Sequence, residues 1–210
     1  MRIDSHHSFS ERYPLAHLES ILHRNRFEGS ILVAPPPDLL PHFVKAIVVP
    51  DLAMADHPKA KGILHDFGDG HIPEWVASVE RRSLVLDVLN GLPVVPRLAE
   101  SFPNLRISLV HLGSPPFERW EESLAEAGRH RNVCCKLSGF FRLPDPRAYV
   151  RHAMTVFTPD RLMFGSDWPN ALPEHTWKEN LAAFTQSIGA QPVAIREELL
   201  GGTATRFYGL

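Results

Sequence analysis

The chain has little cysteine: Cys134 and Cys135 are its only two, and they are neighbours. Adjacent cysteines rarely bridge each other, and no CxxC or zinc-ribbon spacing occurs, so a disulfide scaffold is excluded and a reducing compartment is expected. An excess of one charge is also lacking. Lys and Arg number 22 against 24 Asp and Glu, a net charge of −2, with no long run of either sign. That removes the electrostatic footprint of a nucleic-acid or acidic-membrane binder. No apolar run approaches the roughly 18 residues that a bilayer requires. The opening Met1-Arg2-Ile3-Asp4-Ser5-His6-His7 has no apolar core of the secretory-signal kind, so a soluble cytoplasmic protein is expected. A glycine-rich phosphate loop is missing too, which counts against an open dinucleotide-binding sheet.

What is present is enough apolar material for one sizeable core: 44% hydrophobic and 22% charged residues in 210. The 19 prolines disfavour coiled coils and suit many short elements joined by turns. Short apolar runs recur along the whole chain: Arg2–Asp4, Ile31–Val33, Ala46–Val49, Gly62–Leu64, Leu84–Leu89, Ile107–Val110, Val133–Leu137 and Leu162–Phe164. Each ends near Gly, Pro, Asp or Ser, which is how a strand buried on both faces reads. Between them lie helical stripes: Leu15, Leu18, Ile21 and Leu22; Trp75 and Val79; Trp120, Leu124 and Ala127; Trp177, Leu181, Phe184 and Ile188. Strand and helix alternate without a composition break, which predicts a parallel sheet in a single domain over residues 1–210. Eight such units predict a compact (β/α)8 TIM barrel at the short end of that fold's range, with shortened or distorted units between strands 2 and 6. The connections Pro36–Phe43 and Asp51–Lys61 are notably brief.

In a parallel barrel, reactive side chains gather at the C-terminal strand ends. That rule selects Asp4, His6 and His7 on the first strand, His65 and Asp66 on the fourth, and Asp87 within the fifth. It adds His111 on the sixth, Lys136 and Ser138 on the seventh, and Ser166 and Asp167 on the eighth. Imidazoles and carboxylates that converge on one mouth hold a divalent metal or activate water. Most of the 12 histidines fall on helices or connections instead, so their number points to no large metal cluster.

The segment Ile3-Asp4-Ser5-His6-His7-Ser8-Phe9 resembles the opening of the amidohydrolase superfamily, where Asp-x-His-x-His follows the first strand. The resemblance is to the amidohydrolase-related branch that contains sugar lactonases and 2-pyrone-4,6-dicarboxylate lactonase. Tyr13–Asn25 resembles its first helix. Ser101-Phe102-Pro103-Asn104-Leu105 through His111-Leu112-Gly113, Cys135-Lys136-Leu137-Ser138-Gly139, and Asp160-Arg161-Leu162-Met163-Phe164-Gly165-Ser166-Asp167-Trp168-Pro169 resemble its later motifs in order and spacing. The tail Thr203–Tyr208 resembles its closing segment.

The resemblance implies a hydrolase that opens a lactone by attack of water. It implies Asp167 as the general base and then acid, with His6 and His111 binding a single metal or polarising the carbonyl. A divalent metal on His6, His111 and Asp167, zinc first among candidates, and metal-free operation both stay open. His65, Lys136 and Trp168 are expected to contact a small-molecule substrate, with pairing of Lys136 to an acid in the barrel interior equally open, and Arg97, Arg119 and Arg142 are candidate anchors for a carboxylate. One departure stands out. Ser8 occupies the place of the second histidine, and a hydroxyl is a far poorer zinc ligand than imidazole. His7 cannot replace it on an extended strand, because consecutive side chains face opposite ways. The alternatives are a zinc-dependent decarboxylase of the same fold and a catalytically degenerate barrel that acts as a binding protein.

Overall fold

The computed structural model describes residues 1–33, 40–115, 117–172 and 174–210. Its elements are β1 (Ile3–Ser8), α1 (Leu15–Arg24), β2 (Gly29–Val33), β3 (Val44–Val49), β4 (Ala60–Asp66), α2 (Val76–Arg81), β5 (Val85–Leu89) and α3 (Val95–Ser101). They continue with β6 (Arg106–Leu109), α4 (Trp120–Gly128), β7 (Val133–Leu137), α5 (Pro146–Val156), β8 (Leu162–Phe164), α6 (Trp177–Ile188), α7 (Val193–Glu197) and α8 (Thr203–Tyr208). All eight strands lie where the apolar runs predict them. They pair in parallel and in sequence order, β1 beside β2 through to β7 beside β8. The seam is drawn together just past β8, where Asp167 N–H donates to the His6 carbonyl at 2.9 Å and Ser8 N–H to the Trp168 carbonyl at 2.7 Å. The result is a nearly closed eight-stranded barrel with helices between strands.

Alternation along each strand sorts side chains into two shells. Ile3, Ile31, Val33, Ala46, Val48, Val85, Cys134 and Met163 fill the interior, and Ala204 and Tyr208 of α8 join them. Leu32, Ile47, Val49, Ile63, Leu86, Ile107, Leu137 and Phe164 face outward into the larger core beneath the helices. Within the interior, fully buried Lys136 donates to Asp87 at 2.5 Å, and the Tyr208 hydroxyl donates to the same carboxylate at 2.5 Å. A charge so deep requires its partner; removing either one strands the other.

The middle of the chain is reduced, as the brief connections predict. Between β3 and β4 the only helical element is one 3₁₀ turn, Leu52–Asp56, started by the Asp51 carboxylate that accepts from Met54 N–H. The Pro36–Phe43 connection lies largely outside the described residues. Helices α3 and α5 each carry a proline. In the structure those prolines sit in the first turn, where a missing N–H leaves nothing unsatisfied. Among the described residues no helix is long and apolar enough to cross a membrane.

Candidate active site

The seam that draws the barrel together also assembles its chemistry. A bulge in β1 between Asp4 and His7 shifts the register against β2, and the two ends of that strand therefore face different ways. Ile3 points into the barrel. Asp4 points out, where its carboxylate accepts from Ser166 N–H at 2.9 Å and from the Trp177 indole at 2.8 Å. Asp4 is thus a tether between β1, the end of β8 and α6. Beyond the bulge, His6 turns into the mouth. His7 turns outward to the Ser30 hydroxyl at 2.9 Å and lies beside Phe43. The sequence rule that His7 cannot take over a place in the mouth therefore describes this strand.

Asp167 and His111 both reach the mouth through left-handed backbone. Asp167 has φ of 56°. After β6 the chain makes a left-handed turn at four successive residues, His111, Leu112, Gly113 and Ser114. For residues other than glycine this costs about 1–2 kcal/mol each. Burial of Leu112 and a hydrogen bond from the Trp120 indole to the Leu112 carbonyl at 2.8 Å hold the turn. Two glycines make room beside the imidazoles. A Cβ on Gly165 would lie 2.8 Å from the His6 Cβ, and one on Gly139 would lie 2.9 Å from the His111 Cγ.

The three candidate catalytic residues converge. His111 Nε2 lies 3.6 Å from Asp167 Oδ2, His6 Nε2 lies 3.9 Å from Asp167 Oδ1, and the two imidazoles meet edge to face with centroids 4.7 Å apart. All three are buried. Burial pushes the Asp167 carboxyl up to about 6, against the downward pull of its hydrogen bond from Asn170 and of the nearby Arg142 guanidinium. Burial also holds both imidazoles neutral. His111 is pushed down to about 3, and His6 falls well below its usual value, helped by the positive charge of Lys136. Asp167 Oδ2 and His6 Nδ1 are buried without a hydrogen-bond partner. Arg142, half exposed on the turn after β7, brings its guanidinium to 3.8 Å from that same Oδ2.

Two imidazoles and a carboxylate, each offering one ligand atom within 4.8 Å of the others, suit one divalent cation with a position left open. Among the described residues no further histidine, cysteine or carboxylate joins this group to hold a second cation, and Ser8 is engaged elsewhere. Its hydroxyl accepts from Asn170 Nδ2 at 3.0 Å, and the same amide donates to Asp167 Oδ1 at 3.1 Å. Sequence reasoning missed Asn170; the signal available was its place three residues beyond Asp167, on the turn that follows the motif. A second neighbour is the Ser138 hydroxyl, 2.9 Å from His111 Nδ1.

The structure does not bring the three expected substrate contacts into this mouth. Lys136 lies beneath it, fully buried on Asp87. His65 is one residue past Leu64, the register partner of inward-facing Asp87, so it points out of the barrel. There it stacks edge-on against Phe67 and Trp75 and lines a cavity of about 190 Å³ with Pro50, Leu52 and Ile63. Trp168 follows inward-facing Asp167 and packs into the outer core against Tyr13. Position in the sequence located each strand end; the parity of the side chain decided the face.

The chain matches the amidohydrolase family over residues 32–210. It belongs to that family. It is 31% identical over 192 residues to L-fucono-1,5-lactonase of Burkholderia ambifaria, an alignment that covers 74% of this chain and 63% of the lactonase. The chain therefore spans somewhat under two thirds of that relative's length. Among solved structures, an amidohydrolase from Burkholderia multivorans with bound HEPES superposes with a TM-score of 0.85 at 24% identity, covering 100% of this chain and 99% of that one. Another crystal form of a Burkholderia multivorans amidohydrolase, with bound zinc, gives 0.81 at 24% identity, again covering 100% of this chain and 99% of that one. The putative 2-pyrone-4,6-dicarboxylic acid hydrolase of Pseudomonas putida gives 0.78 at 23% identity, covering 99% of this chain and 97% of that one. At these identities the superpositions show the barrel.

Proposed function

We propose that this amidohydrolase opens a lactone ring by attack of water, with Asp167 as the group that moves the proton. The observation that carries this reading is Asp167 Oδ2, a buried carboxylate oxygen with no hydrogen-bond partner, facing His111 Nε2 at 3.6 Å. A buried carboxylate oxygen that accepts no hydrogen bond is free to take a proton from a water lodged against it, while Asn170 holds the other oxygen. Its own pKa, near 6, lets it release the proton again at neutral pH. The likeness to L-fucono-1,5-lactonase supports a lactone as the substrate class.

The steps follow from the placement. Asp167 Oδ2 takes a proton from water as the water oxygen bonds to the lactone carbonyl carbon. The carbonyl oxygen becomes an oxyanion, which the neighbouring imidazoles and the Arg142 guanidinium stabilise. The ring carbon–oxygen bond then breaks, and Asp167 returns its proton to the departing alkoxide, leaving an open-chain hydroxy acid. Arg142, half exposed and next to Asp167, is placed to hold a carboxylate or hydroxyls of the substrate. Were a divalent cation bound, His6, His111 and Asp167 would hold it, and it would supply Lewis-acid polarisation of the carbonyl and a more acidic water. A zinc decarboxylase would require the full pair of first-strand imidazoles, and here the second place is a serine bonded to Asn170.

The test is a pH-indicator assay of the purified protein against a panel of sugar and dicarboxylate lactones, beside Asp167→Asn. Turnover of at least one lactone that falls by a factor on the order of 10²–10⁴ in the variant is expected. Turnover unchanged by Asp167→Asn would sink the assignment.

A further inference from the structure

We infer that Ser138 sets the tautomer of His111, holding the proton on Nε2 so that this imidazole enters the reaction as a hydrogen-bond donor. The argument rests on counting donors and acceptors in a closed space. Ser138 is fully buried, and among the described residues the His111 ring is the only partner of its hydroxyl, at 2.9 Å from Nδ1. A serine hydroxyl both donates and accepts, whereas each ring nitrogen of a neutral imidazole does one or the other. If Nδ1 carried the proton, Ser138 would accept it, and the hydroxyl's own hydrogen would have no acceptor. A buried donor left unmade is the expensive outcome. If Nδ1 is bare, the hydroxyl donates to it and both groups are satisfied by one bond.

The far side of the ring agrees. Nε2 faces Asp167 Oδ2 at 3.6 Å, a carboxylate oxygen without a donor. Two bare nitrogen and oxygen acceptors would repel across that gap, and an N–H on Nε2 removes the conflict. A doubly protonated ring fails the same count, because Nδ1–H would again leave the Ser138 hydrogen without an acceptor. Gly139 packs against the ring with no room for a Cβ, which fixes the orientation in which Ser138 meets Nδ1. Ser138 is thus a positioning residue for the carbonyl-polarising role in the function proposed above, on which its catalytic meaning rests. The same count bears on cation binding. Nε2–H offers no lone pair, so a cation on His111 requires the proton to move to Nδ1 and the Ser138 hydroxyl to turn away from it. The histidine just past β6 therefore rests in its donating form.

Nitrogen-15 NMR of the full chain, labelled at histidine, reads the tautomer without any substrate. The expected spectrum assigns the His111 proton to Nε2, with an unprotonated Nδ1 whose resonance carries the shift of an accepted hydrogen bond. Ser138→Ala should move that Nδ1 resonance toward a free acceptor and lower kcat about tenfold with little change in KM, and Ser138→Thr, which keeps the hydroxyl, should restore both. A proton on Nδ1 in the unaltered protein overturns the inference, and so does an Nδ1 resonance that Ser138→Ala leaves in place. If no lactone is turned over, the NMR result still decides the tautomer, so failure of the substrate assignment and failure of this inference remain distinct.

Discussion

The barrel has two unequal halves. From β6 through β8 to β1, every strand end carries a polar group aimed at the mouth or tied to one that is: His111, Ser138, Asp167, Asn170, Ser8 and His6. From β2 to β5 the strands also pair in parallel, yet their ends contribute nothing to that cluster among the described residues, and the connection from β3 to β4 is a single 3₁₀ turn. The difference separates two demands that a (β/α)8 enzyme usually meets together. Drawing the barrel together needs all eight strands. Assembling the His6–His111–Asp167 cluster needs only the strand ends near the β8–β1 seam.

The sharpest way to break this comparison is to strike the site without touching the fold. Asp167→Asn should cost activity by orders of magnitude and leave the urea midpoint close to the parent's. The converse lies across the barrel. Ile47 on β3 is fully buried in the outer core, so Ile47→Ala should destabilise by about 2–5 kcal/mol, with kcat per folded molecule within about twofold. Urea unfolding beside a lactone assay checks both; a site-specific loss of kcat from Ile47→Ala would show that the halves are coupled.

Acid offers a graded test. His6, His7 and His111, all on β1 and just past β6, are kept neutral by burial, the last two down to about 3. The unfolded chain takes up protons on these histidines below about 6.5 while the folded chain does not, so stability is full above that pH and falls as pH drops. Each histidine contributes about 1.4 kcal/mol per pH unit. Asp167 works the other way between about 6 and its unfolded value near 3.9, because there the folded state holds the extra proton. Asp4, also pushed up by burial, opposes in the same sense as Asp167, and with three histidines against two carboxyls the net expectation is a loss of stability below pH 6, measured by urea unfolding at pH 7 and pH 5. Equal stability at the two pH values would mean that the imidazoles are charged in the fold. The smallest effect is expected at His65, whose ring points out of the barrel: His65→Gln should change kcat/KM less than about twofold. A tenfold loss would place His65 in the mouth after all.

Most of the barrel was legible from the chain alone, because strands buried on both faces leave short apolar runs with turn residues at their ends. The convergence of Asp167, His111 and His6 was legible for a related reason: in this fold the strand ends are where the three can meet. Strand-end position alone does not settle where Lys136, His65 and Trp168 reach, because it fixes neither the face nor the depth of a side chain. A one-residue offset in His65 and Trp168 sends each ring outward, and the depth of Lys136 is set by Asp87, 49 residues away. Asn170 was invisible for a third reason. Its two partners, Ser8 and Asp167, become neighbours only when the first and last strands are drawn together.

The left-handed turn at His111–Ser114 bears on how portable this chemistry is. An imidazole carried on ordinary strand dihedrals would leave β6 in another direction, so copying His111 into a different barrel does not copy its reach. What would have to travel is the whole unit: the unfavourable dihedrals, the buried Leu112 beneath them, and the Trp120 indole bonded to the Leu112 carbonyl. Each non-glycine residue in that turn also opposes drift, because substitutions that suit the local backbone better, such as glycine, would surrender the side chains that hold it in place. The position of the histidine is inherited as a package or not at all.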